Sequence, residues 1–127
     1  MSTSLAEPQE PDPLGRAVRV FRDSHDQPLC HNLAEVRANI DRLDDQIVRL
    51  LAERALYVKD AARFKRDAYQ VAAPARQAEV FRKVAELATR HNRGFDNFEA
   101  VVDATYRAMV AAFIANEQHY FNRMTEE

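Results

Sequence analysis

The chain has 127 residues, 46% of them hydrophobic and 30% charged, which is enough for one domain with a modest core and unlike a disordered composition. A formal charge of −2 offers no basic surplus for nucleic acid, the single cysteine (Cys30) excludes an internal disulfide, and only two glycines occur, which excludes a Gly-rich phosphate loop. No apolar run nears the roughly 18–20 residues that span a bilayer. The acidic, proline-bearing N-terminus lacks the basic and apolar regions of a signal peptide, so no membrane partner and a cytoplasmic location are expected.

Residues 1–31 read as a flexible leader, because four of the five prolines (Pro8, Pro11, Pro13, Pro28) fall there among polar and acidic residues. Within it, Leu14 to Phe21 has the apolar content for a short helix or a docked strand. The pattern changes at Asn32, which with Glu35 has the spacing of a helix capping box and opens a helical domain over 32–127. Leu33, Val36, Ile40, Leu43, Ile47 and Leu50 then recur at alternating three- and four-residue steps, the spacing of a packed helical seam. Helix formers continue to about Tyr69, which predicts a first helix of about 55 Å. A domain of this size cannot cover such a helix alone, so a partner is expected.

Val71-Ala72-Ala73 reads as a connection, with Pro74 in the first turn of a second helix that runs to about Asn92 and stops at Gly94. Asp96 with Glu99 suggests the cap of a third helix to about Met124, whose apolar face includes Val102, Tyr106, Val110 and Phe113. The fold class is therefore all-α: three helices per chain, the first very long.

The anomaly is a set of charges on the apolar stripe. Arg54 takes the seam position after Leu50, the stripe continues through Val58 and Ala61 to Lys65, and Arg37 lies near its edge. An unpaired buried cation costs several kcal/mol. Either carboxylates such as Asp44, Asp45 or Glu53 pair with these groups, or an anionic ligand does, and arginine forks suit carboxylates. Gln77 and Gln118 face the same interior from the second and third helices. If the cations await a ligand, removing Lys65 is expected to harm folding little. The four histidines (His25, His31, His91, His119) share no ligand spacing, and no serine follows Ser24. The chemistry expected is one that needs no metal, cofactor or serine nucleophile.

The stretch Leu33-Ala-Glu-Val-Arg37-Ala-Asn-Ile-Asp-Arg-Leu-Asp44, then Leu50-Leu-Ala-Glu-Arg54, then Lys65, with Gln118 in the third helix, resembles the all-helical chorismate mutase family. The resemblance implies an intertwined homodimer in which each pocket takes Arg37 from one chain and Arg54, Lys65, Arg76 and Gln118 from the other. It implies a Claisen rearrangement of chorismate to prephenate, which needs shape selection and stabilisation of charge on an ether oxygen. Arg37 and Arg54 then bind carboxylates, Lys65 and Gln118 donate to the ether oxygen, and Val58, Ala61 and Ile114 form apolar walls. Some relatives carry a glutamate where Gln118 is placed, which must be protonated to donate.

Two positions depart from the family pattern. Where many mutases carry an aspartate and a glutamate that grips the substrate hydroxyl, Ala73 and Gln77 stand here. If the chain is a mutase, Gln77 is expected to accept from that hydroxyl, and a glutamate in its place to serve at least as well. The run Tyr57-Val-Lys-Asp-Ala-Ala-Arg-Phe-Lys65 and the Glu117-Gln118 ending look closer to the isochorismate pyruvate-lyase branch, which forms salicylate and pyruvate. A mutase is the first expectation and a lyase the second. A non-catalytic helical dimer or regulatory subunit comes third, favoured if protein carboxylates neutralise both Arg54 and Lys65.

Overall fold

The computed structural model describes residues 7–126, so Glu127 and the first six residues of the expected leader lie outside the described residues. All regular structure among the described residues is helical: α1 (Leu33–Ala61), a 3-10 turn (Ala62–Phe64), α2 (Ala68–Ala72), α3 (Pro74–His91) and α4 (Phe98–Arg123). The chain divides into two units, Met1–Val48 and Arg49–Glu127, and α1 runs through the boundary.

In the first unit the residues before α1 hold no helix or strand, and Val18, Val20 and Phe21 stand exposed rather than docked, unlike the short element their apolar content suggested. The segment is tied down at the start of α1, where Ala34 N donates to the Pro13 carbonyl at 2.9 Å. Asn32 caps the helix as its type and position predict: Glu35 N donates to Asn32 Oδ1 at 2.9 Å. Glu35 reaches back one residue further than in a standard capping box, accepting from His31 N at 3.1 Å.

In the second unit α4 is the element against which the others pack, touching α3, α2 and the 3-10 turn. Val84 and Ala88 of α3, Val110 of α4, Val71 of α2 and Ala62 of the turn form the buried apolar centre. Contact on several sides explains why the apolar residues of α4 spread around it instead of forming a narrow stripe.

The first helix is shorter than its sequence pattern suggests. It ends at Ala61, tightens into the 3-10 turn, and turns extended at Lys65 (φ −105°, ψ 144°). The chain restarts at α2 because Asp67 caps it: Gln70 N donates to Asp67 Oδ1 at 2.9 Å, and Gln70 Oε1 accepts from Arg66 N at 2.7 Å. Asp67 and Gln70 have capping-box spacing, a signal hidden inside a run of helix formers. Ala73 then adopts a left-handed conformation (φ 46°, ψ 62°) between α2 and α3, and Pro74 opens α3. The third helix stops at His91. Asn92 makes the turn, its Oδ1 accepting from Phe95 N at 2.9 Å, with Gly94 at φ 95° inside it. The expected Asp96–Glu99 cap is replaced by Asn97, left-handed and without a side-chain cap bond.

None of the 29 residues of α1 is buried. Its seam residues Ile40, Leu43, Ile47 and Leu50 are 51%, 45%, 53% and 65% exposed. A helix whose apolar stripe is about half in water lacks the packing that normally stabilises helices.

Loss of the α2 cap has a local price that stability measurements can read. Asp67→Ala is expected to lower unfolding stability by about 1 kcal/mol, and Asp67→Asn to leave it nearly unchanged, in urea titrations followed by circular dichroism.

Candidate active site

The second unit holds a cavity of about 300 Å³. Its walls come from the last two turns of α1, the joint between α2 and α3, and the middle of α4. Val58, Ala61, Val80, Phe113 and Ile114 make it largely apolar, and Arg54, Lys65, Arg76, Gln77 and Glu117 place polar groups around it. A small apolar pocket with a few convergent polar groups is the usual form of a small-molecule site.

Lys65 lines this cavity from just beyond the end of α1. The extended backbone at Lys65 carries its side chain to α4, where Nζ donates to Glu117 Oε2 at 2.9 Å. The pair is substantially withdrawn from water, with side-chain exposures of 21% for Lys65 and 7% for Glu117. Lys65 is therefore a compensated cation, contrary to the expectation that its removal would spare the fold: its loss strands the Glu117 carboxylate.

Arg54 is placed differently. Its guanidinium stacks over the Phe113 ring, 4.9 Å from the centroid, and no carboxylate pairs with it among the described residues. The ring supports the cation while leaving its hydrogen-bond donors available. Arg76 stands at the exposed rim and bonds Glu79, which also takes Lys83. The Lys83 hydrogen bond first, then the charges of Lys83 and Arg76, hold the Glu79 carboxyl below its ordinary pKa. Of the cavity's three cations, only Arg54 is without a protein carboxylate among the described residues.

The cavity thus brings together Arg54, Val58, Ala61, Lys65, Arg76, Gln77 and Ile114 from the expected site. It does not bring in two others. Arg37 is exposed on the first half of α1, in the first unit. Gln118 is absent from the lining, its Nε2 donating instead to Asn122 Oδ1 at 2.8 Å, and the residue before it, Glu117, holds the inward position. One residue is about 100° around a helix, so the two side chains cannot share a direction. The signal for Glu117 was present: it lies seven residues after Val110 and four after Phe113, on the stripe that is buried. Tyr57, Phe113 and Ala72 also line the cavity without having been assigned to it from the sequence, as does Ala73, noted there as a departure from the family pattern. No cluster of potential metal ligands occurs among the described residues, and no helix there is long and apolar enough to cross a membrane.

Comparison with known proteins places the chain in a family. Residues 36–118 match the profile of the family described as chorismate mutase type II. An isochorismate pyruvate lyase of Pseudomonas aeruginosa is 33% identical over 94 residues, covering 74% of this chain and 89% of the relative. A bifunctional chorismate mutase/prephenate dehydratase of Aquifex aeolicus is 36% identical over 87 residues, covering 68% of this chain but 24% of that longer protein. A chorismate mutase of Methanocaldococcus jannaschii is 32% identical over 65 residues, covering 50% of this chain and 66% of the relative. With the profile covering well over half of its length, this all-helical chain belongs to the chorismate mutase type II family.

Proposed function

We propose that the protein is a homodimeric chorismate mutase, rearranging chorismate to prephenate by electrostatic stabilisation. The observation that carries this reading is Arg54, a cation at an apolar cavity with its donors uncommitted, across a pocket that also holds Lys65 and Glu117. Arg54 takes a substrate carboxylate, with Arg76 assisting at the rim. Lys65 keeps two N–H donors beyond the one given to Glu117 and turns them on the ether oxygen as charge develops there. Val58, Ala61 and Ile114 press the substrate into its reactive shape. Arg37 is assigned to the pocket of a second chain, brought there by pairing of the exposed α1 stripes.

Glu117 takes the role expected of Gln118, with a different requirement. An ionised carboxylate adds negative charge beside a dianionic substrate and can only accept; a protonated one donates to the ether oxygen. Arg54, Lys65, Arg76 and Tyr57 are the other titratable groups on the same walls.

A lyase acting on isochorismate is the second reading, favoured by the relative of that name matched over 89% of its length. The non-catalytic alternative draws on the Lys65–Glu117 pair, but that pair leaves Arg54 uncompensated. Turnover of chorismate and isochorismate by the purified protein, measured side by side, decides among the three. Prephenate formation supports the first reading, predominant salicylate formation replaces it with the second, and inertness toward both refutes catalysis.

The site makes two further commitments. Glu117→Gln is expected to keep mutase activity, since its amide can still donate to the ether oxygen; loss of activity in this variant refutes the donor role. Lys65→Ala is expected to lower kcat by about 100-fold or more and to reduce stability by on the order of 2 kcal/mol. Adding Glu117→Gln to it restores stability without restoring rate, since the amide leaves no stranded charge.

The dimer is tested by charge on the stripe. Ile47→Asp is expected to give monomers in sedimentation, whereas the parent sediments as a dimer with an interface above about 1,200 Å²; a monomeric parent protein refutes the shared pocket.

A further inference from the structure

We propose that Arg19 and Arg22, on the loop before α1, belong to a strap that closes over the cavity of a second copy of this chain once that cavity holds an anionic ligand. The proposal rests on the homodimer reading above, in which Arg37 enters the second chain's cavity. It adds a part of the chain that lies ahead of the family profile, which begins at residue 36.

The loop is built on the end of α1 that carries Arg37. The Pro13 carbonyl accepts from Ala34 N at 2.9 Å, so the chain leaves the start of α1 and comes back to it. On the outgoing limb, Gly15, Arg16 and Val18 line a groove of about 390 Å³ together with Leu33 and Val36, the residue just before Arg37. The return is made by the loop's own bonds: Asp23 Oδ1 accepts from His25 N at 2.8 Å, and the Asp23 carbonyl accepts from Asp26 N at 3.1 Å. Where Arg37 goes, this loop goes with it.

Between the groove and the turn stand Arg19, Val20, Phe21 and Arg22. Among the described residues neither arginine has a hydrogen bond or an ion pair, and the adjacent carboxylate, Asp23, is taken by His25. Val18, Val20 and Phe21 are 94%, 92% and 62% exposed. Apolar side chains in that state gain from a surface that covers them, and guanidiniums with free donors gain from a carboxylate. The segment thus carries both halves of a docking surface and meets no counterpart in its own unit.

A filled cavity supplies that counterpart. Empty, it presents the uncommitted Arg54, whose charge repels the loop's arginines. A bound dicarboxylate brings negative charge that attracts them, and Tyr57, 72% exposed at the same cavity, offers Val20 and Phe21 an apolar floor. Closure is therefore coupled to occupancy.

Limited trypsin digestion followed by mass spectrometry reads the strap directly, because trypsin cuts after arginine. An unreactive cyclohexene dicarboxylate serves as the ligand, with its binding checked by calorimetry. Cleavage after Arg93, in the exposed turn before α4, is the internal control. The ligand is expected to slow cleavage after Arg19 and Arg22 by about tenfold and to leave Arg93 unchanged. Binding without that slowing overturns the strap and leaves the cavity a dicarboxylate site. A parent protein that does not bind the ligand overturns the reading of the cavity and the strap with it.

Complementation identifies which chain lends the loop. The double variant Arg19→Ala/Arg22→Ala alters only exposed side chains and is expected to bind the ligand about tenfold more weakly. Co-expressed with a chain carrying Arg54→Ala, it is expected to form mixed dimers with one site of parental affinity, since the Arg54→Ala chain lends its loop to the intact cavity. Mixed dimers without such a site overturn the proposal, because the loop then serves its own chain or none.

Discussion

The ion pair between Lys65 and Glu117 organises the second unit. It joins the segment just after α1 to the middle of α4, with both partners largely withdrawn from water. Charges in such a setting persist only when paired and hydrogen-bonded. The pair forms just where α1 has given way to the 3-10 turn and the extended Lys65. The Asp67 cap then restarts the chain as α2.

Around this pair the cavity divides into sides of opposite character. Arg54, stacked on Phe113, presents unused cationic donors. Gln77, tied to the α2–α3 joint, presents a neutral acceptor. Glu117 is held by Lys65. On the proposed function, a substrate's carboxylates fall to Arg54 and its ether oxygen to Lys65.

The exposed stripe on α1 belongs to the same account. A 29-residue helix without a buried side chain is the part of the structure least explained by one chain, and it carries both Arg37 and Arg54. On the proposed homodimer, that half-exposed seam is the surface by which α1 meets its second copy.

Much of this was legible in the sequence, because helical periodicity is a local property. The helix that carries Leu33 to Leu50, the Asn32 cap, Pro74 at the start of α3 and the placement of Arg54 at the cavity all follow from spacing and residue type. What the sequence alone misplaced were the features decided by contacts distant in the chain. Helix formers run unbroken past Ala61, yet burial of Val71 and pairing of Lys65 with a residue 52 positions away favour a break there. Glu117 and Gln118 are equally polar neighbours, and only the packing of α4 against α2, α3 and the 3-10 turn selects which one faces inward. The sequence by itself determined the helices and the kinds of charge they carry. The tertiary structure decided which of those charges meet, because the direction of a side chain depends on where its helix ends and on what covers its face.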